Sequence, residues 1–234
     1  MKKLLILSLA LFAATAFAEK VNVFSCGFEP EEGYSTGLLY GQQGWIPYSE
    51  GYHYREVVDD VAYSGKQSVH IFTTEGHNSG EMHSVTYANP YRAKVIYSFM
   101  FKPSDAPVRF QIFDEYGDRI KKFAISKSQF TADNPYDAKN FSLDANTWYP
   151  VTMVLDVRNY TFESFEIGDV LSTSFVYDNA QEASGDIGYI VFMTEWTDTA
   201  AHSYIDDISI DLVPEPACVG LLALVGLCFL RKRG

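Results

Sequence analysis

Cleaving a polysaccharide with retention of configuration would require two carboxyls held about 5 to 5.5 Å apart, one as nucleophile and one as acid. Glu163 and Glu166 sit in a strand-like run, but a separation of three places them on opposite strand phases. The segment Asp114 to Asp118 reads as a turn rather than as a cleft wall. The five histidines, His53, His70, His77, His83 and His202, show no paired ligand spacing, and no H-E-x-x-H run occurs. A transition-metal centre is therefore not expected. Acid/base or metal-assisted catalysis finds no foothold, and the expectation is a non-enzymatic protein.

Binding a sugar needs less: aromatic faces for its apolar side and polar neighbours for its hydroxyls. The densest patch of that kind runs from Trp45 to Tyr54 and includes Tyr48 and Tyr52. A second is Trp196, flanked by Glu195, Thr197 and Asp198, where a strand gives way to a polar loop. Trp45, Tyr48, Tyr52 and Trp196 are thus the candidate ligand contacts, with core filling as the alternative for each. Trp148 opens a strongly apolar strand and is the weaker candidate. Asp206 is spaced in phase with Ile208, Ile210 and Leu212, which predicts that it points inward. A buried carboxylate must be hydrogen-bonded, bound to a cation or protonated. The plainer reading is that Asp206 caps turn amides and that Asp207 is solvated.

The elements that would hold these residues are strands. Short runs rich in Val, Ile, Phe and Tyr recur between Gly, Pro, Asn and Asp clusters, and no amphipathic helix of three turns is found. Strands are predicted at 22–28, 67–72, 85–87, 94–101, 108–113, 121–125, 148–157, 162–166, 188–193 and 203–212. So many in one chain imply an all-β, antiparallel sandwich or barrel, here one domain over residues 19–212. Hairpins are expected at Asp114 to Asp118 and at Arg158 to Tyr160, and a longer loop at Thr131 to Asn140.

Both ends read as addresses. Lys2 and Lys3 precede an apolar stretch from Leu4 to Phe12, and Ala16-Phe17-Ala18 offers a cleavage site after Ala18, so residues 1–18 form a signal peptide. An uncleaved N-terminal anchor is the alternative. At the other end, Pro214-Glu215-Pro216 precedes fourteen apolar residues, Ala217 to Leu230, and then Arg231, Lys232 and Arg233. That run spans about 21 Å as a helix, short of a hydrocarbon core of about 30 Å, and the basic residues bias the C-terminus inward. Residues 213–234 resemble the PEP-CTERM sorting signal. The resemblance implies export, an inner-membrane intermediate, processing by an exosortase-type membrane peptidase, and a final place at the cell surface or in the extracellular matrix. A permanent single-pass tail is the alternative.

Composition bounds the partners. Five of the 18 basic residues lie in residues 1–18 and 217–234, which leaves 13 against all 30 acidic ones, a net charge of −17 for residues 19–216. Such a surface excludes nucleic acid and anionic glycans as simple electrostatic partners and leaves neutral polysaccharide and divalent cations. Cys218 and Cys228 lie in the tail, so Cys26 has no disulfide partner within the domain and is expected in the core.

The segments Phe28-Glu29-Pro30-Glu31-Glu32-Gly33, Gly41-Gln42-Gln43-Gly44-Trp45, Ala62 to Val69, Thr147 to Val151 and Tyr204 to Ser209 resemble, in order, landmarks of concanavalin A-like jelly rolls. This implies two packed antiparallel sheets with the first and last strands adjacent. Retaining glucanases of this fold carry E-x-D-x-x-E on one strand, and the chain has none. Related carbohydrate-binding jelly rolls hold a structural calcium between the opening Phe-Glu segment and an Asp of the last strand, which here would be Glu29 with Asp206 or Asp207. The reading is a surface or matrix protein that binds neutral glycan. A purely structural or adhesive coat component and a divergent polysaccharide-degrading enzyme are the rivals.

Overall fold

A computed structural model describes residues 20–47, 55–73, 80–87, 94–114, 116–117, 119–132, 138–156, 161–175, 187–194 and 201–213. The expected signal peptide, the expected sorting tail beyond Val213 and the expected hairpin at Arg158 to Tyr160 lie outside the described residues. The strands are β1 (Val21–Cys26), β2 (Gly37–Leu38), β3 (Trp45–Pro47), β4 (Arg55–Val58), β5 (Ser68–Thr73), β6 (Gly80–Tyr87), β7 (Lys94–Lys102) and β8 (Val108–Asp114). They continue with β9 (Arg119–Ile125), β10 (Gln129–Ala132), β11 (Lys139–Asn140), β12 (Tyr149–Asp156), β13 (Thr161–Ile167), β14 (Leu171–Phe175), β15 (Ile187–Thr194) and β16 (Ala201–Val213).

They form two antiparallel sheets. The larger has the order β14-β13-β12-β7-β16-β5-β4-β2, with β1 also on β16; the smaller runs β11-β10-β9-β8-β15-β6-β3. β1 lies against β16, so the first and last strands are neighbours as expected. Strict alternation in β7 buries Val95, Tyr97, Phe99 and Phe101 and turns Ile96, Ser98, Met100 and Lys102 outward. Rings from both sheets interlock in the core: Phe110 stacks on Phe99 at 4.6 Å and on Phe123 at 4.9 Å, and Phe130 on Phe165 at 4.0 Å. Such aromatic contacts add about 0.5 to 1.5 kcal/mol each beyond burial.

Two irregularities correct the sequence reading. A bulge between β12 and β13 inserts one residue at Glu163, so Phe162 and Phe165 both point inward and Glu163 and Glu166 are both exposed, not on opposite faces. The second lies in β16. From Ala201 to Ile205 it pairs with β5, and from Ile208 onward with β1. At the changeover Asp207 takes φ +48°, and the register against β7 slips between Asp206 and Ser209. Asp206 therefore shares the phase of Tyr204 on the outer face, not that of Ile208 and Ile210. It is buried all the same, because the loop between β4 and β5 lies over it.

Candidate functional site

The changeover in β16 leaves a seam where β1 ends and β5 begins, with backbone amides that no ladder satisfies. Acidic side chains close it. Asp206 accepts the amide N–H groups of Tyr63 (2.9 Å), Ser64 (3.2 Å) and Asp207 (2.8 Å). Glu29 accepts those of Lys66 (2.9 Å) and Gln67 (3.1 Å), and Glu32 those of Gly27 (2.9 Å) and Glu29 (3.1 Å). Asp207 accepts the Ser64 hydroxyl at 2.9 Å. Gly65 is required here, since at φ +58° a Cβ would overlap the Glu29 carboxylate. Burial pushes the Asp206 carboxyl up to about 6, against the pull of the Ser64, Tyr63 and Asp207 amides.

This arrangement does not fit the calcium implied for Glu29, Asp206 and Asp207. Five of their six carboxylate oxygens face N–H or O–H donors, whose positive ends compete with a cation for those oxygens. Among the described residues no group of three or more His, Cys, Asp and Glu is disposed to hold a metal ion.

Directly beside the seam, the outer face of the larger sheet carries aromatic rings where alternation would lead one to expect polar residues. Glu56, His70, Tyr204 and Lys102 stand opposite one another across β4, β5, β16 and β7. His70 stacks on Tyr204 at 4.8 Å and on Phe72 at 5.3 Å, and meets His202 at 5.0 Å. Nε2 of His70 and Nδ1 of His202 are 2.8 Å apart and share one proton. The strip continues through Trp148, which meets Tyr204 at 6.4 Å and 61°, to Tyr63, which meets Trp148 at 6.0 Å and 59°.

The rings differ in what they present: His70 and His202, nearly coplanar with nitrogens 2.8 Å apart, meet edge to edge, and Lys102 Nζ lies over the Tyr204 ring, 5.3 Å from its centroid. Trp148 and Tyr63 are inclined to their neighbours by about 60°, Trp148 is half-buried and Tyr63 is 51% exposed. Burial, the neighbouring His202 and, in the opposite sense, Asp60 together lower His70 to about 4, so the His70 imidazole stays neutral at ordinary pH. Burial and Asp60 raise Tyr204, so its hydroxyl keeps its proton.

Of the ligand contacts expected from sequence, Tyr48, Tyr52 and Trp196 lie outside the described residues. Trp45 is corrected. It is 0% exposed, packs on Phe28 and Phe192, and donates its indole N–H to the Tyr34 hydroxyl at 3.0 Å. Cys26 donates its thiol to the same hydroxyl at 3.2 Å, and burial pushes that thiol up to about 12, so it is an inert core group. The residues missed were His70, Phe72, His202 and Tyr204. Their signal was present: His-Ile-Phe in β5 and His-Ser-Tyr in β16 place rings on both sides of an inward-facing residue.

No protein-family model matches the chain, and no curated protein matches it. Solved structures do. A carbohydrate esterase of the Shiga toxin-encoding bacteriophage phi24B aligns at 14% identity and a TM-score of 0.53 over 83% of this chain and 100% of that one. Arcelin-5, a lectin-like defence protein of Phaseolus vulgaris, aligns at 11% and 0.52 over 84% and 99%. A sialidase aligns at 14% and 0.51 over 71% of this chain, which corresponds to 17% of the sialidase. At such identities the likeness is one of fold alone: the chain is a two-sheet antiparallel sandwich of the jelly-roll kind.

Proposed function

We propose that this chain is an exported, non-enzymatic surface or matrix protein whose jelly roll binds neutral glycan on the outer face of its larger sheet. The observation that carries the reading is the strip from Tyr63 through Trp148 and Tyr204 to His70 and His202. Trp148 and Tyr63 offer faces to the apolar side of a sugar ring, and the edges of Tyr204 and His202 offer hydroxyl and imidazole groups to its hydroxyls. The net charge of −17 over residues 19–216 favours an uncharged polymer over an anionic one. A binding role is also supported by how the acids are spent: Glu163 is paired with Lys94 at 2.7 Å, and Glu29 and Asp206 hold backbone amides.

The ends supply the route. The signal peptide exports the chain, and an exosortase-type peptidase processes it at Pro214-Glu215-Pro216. A screen of the purified protein on an array of neutral oligosaccharides tests the binding clause, and an array without a single positive sugar overturns it. Mass spectrometry of the exported form tests the route. The expected N-terminus is Glu19 and the expected C-terminus lies close to Pro216, whereas a mature form that keeps Arg231 to Arg233 contradicts processing.

A further inference from the structure

The outer face of the smaller sheet holds a second opening. In β8, β9 and β10 alternation sends Phe110, Phe123, Ile125 and Phe130 into the core and leaves Arg109, Ala124 and Thr131 in a row on the opposite face. Over that face lies a cleft of about 550 Å³ whose walls include Ala124, Ser126, Ser128, Gln129, Asn140 and Phe141. Its size falls within the usual range of about 300 to 1,000 Å³ for small-ligand sites.

The wall chemistry is specific. Gln129 stands opposite Asn140, and its Nε2 donates to Asn140 Oδ1 at 3.2 Å. That bond orients both amides and leaves the Gln129 Oε1 acceptor, the second Gln129 N–H and the Asn140 Nδ2 amino group at the wall. Ser126 Oγ accepts the amides of Ser128 at 3.3 Å and Gln129 at 3.1 Å, which fixes the hydroxyl in place. Phe141 adds one half-buried ring. The charged residue at the rim, Asp105, is already paired with Lys127 at 2.7 Å. Hydroxyls, carboxamides and a ring, with the rim charge of Asp105 paired, match a neutral, hydroxyl-rich ligand.

We propose that this cleft is a second glycan subsite, taking one or two residues of a neutral polysaccharide, and that the protein is therefore a bivalent cross-linker of polysaccharide chains. The bivalency rests on the reading of the aromatic strip given above. The strip and the cleft face away from each other on a sandwich whose sheets are about 10 Å apart, so one polymer segment cannot lie on both. Two engaged sites on separate chains tie those chains together, and a polymer that meets both kinds of site gains avidity without any new contact.

Affinity electrophoresis of the full-length chain tests this, in native gels containing hydroxyethylcellulose, xyloglucan, galactomannan or dextran. Two cleft variants are used, Gln129→Ala with Asn140→Ala, and Thr131→Trp to fill the opening, each checked for an unchanged melting temperature. The expected result is that both weaken retardation by about tenfold or more and abolish the turbidity that the wild type produces with the same polymer. Cleft variants that migrate and cloud the polymer like wild type overturn the second site while leaving the strip intact. If Trp148→Ala with Tyr204→Ala changes nothing and the cleft variants lose retardation, the cleft stands and the strip and the bivalency fall. A wild type retarded by none of the four polymers overturns both sites.

Discussion

Asp206 Oδ2 accepts the backbone N–H of Tyr63 at 2.9 Å, and this bond joins the central strand of the larger sheet to the loop that carries the exposed end of the aromatic strip. Sheet irregularity and binding surface are thereby one structure. The bulge at Asp207 turns the Asp206 carboxylate outward, and the carboxylate then fixes the loop that extends the row of rings.

Removing that carboxylate should cost stability and binding together. Asp206→Ala strands three part-buried amides, a loss of about 3 kcal/mol that lowers Tm by roughly 6 to 12 °C in a domain of this size. Differential scanning calorimetry reads the first effect. Weaker glycan retention at a temperature where the variant is folded reads the second, because Tyr63 is no longer held.

Two groups near the strip should tilt stability with pH in opposite directions. Asp206 has a folded pKa raised to about 6, so its contribution is full below about 4 and is lost as pH rises through 6. His70 has a folded pKa lowered to about 4, so the unfolded chain binds the extra proton and stability is lost as pH falls from 6.5 through 4. Wild type should stay comparatively flat over this window. Urea midpoints should rise with pH in Asp206→Asn and fall with pH in His70→Gln; parallel profiles for the two variants would contradict the assignment.

Trp45 belongs to the core, and its substitution should separate stability from binding. Trp45→Phe loses the indole bond to the Tyr34 hydroxyl and part of the ring volume, for about 1 to 3 kcal/mol. A lower urea midpoint with unchanged polysaccharide retention is the expected pair of results.

Divalent cations should leave the fold alone. With the carboxylates of Glu29, Asp206 and Asp207 accepting N–H and O–H groups, adding millimolar calcium or EDTA should shift Tm by less than about 1 °C. A rise of several degrees with calcium would mean that these side chains rearrange around an ion.

The fold was legible where hydrophobic alternation was unbroken. Lys94 to Lys102 and Val108 to Asp114 emerge almost at their predicted limits, the first because it buries every second residue and the second because it is an apolar run buried almost throughout. The short strands β2, β3, β4, β11 and β14 were not, because two to five residues carry no readable period and are held by their neighbours' ladders. Bulges defeated the phase arguments. Glu163 and Asp206 were each assigned a face by counting along an ideal strand, and one inserted residue moved each assignment. Trp45 misled for a different reason: an aromatic patch in sequence says nothing about which of its rings enters the core. The strip itself is assembled from β5, β16 and the loops before β5 and β12, so no window of sequence contains it.

The most direct test of glycan binding on the larger sheet is native affinity electrophoresis of wild type beside Trp148→Ala with Tyr204→Ala, in gels with and without hydroxyethylcellulose, xyloglucan, galactomannan or dextran. At least one polymer should slow the wild type, and the double variant, folded by calorimetry, should lose about tenfold or more of that retention, about 1.4 kcal/mol or more. Equal retention of the two proteins in every polymer that slows the wild type would contradict the account.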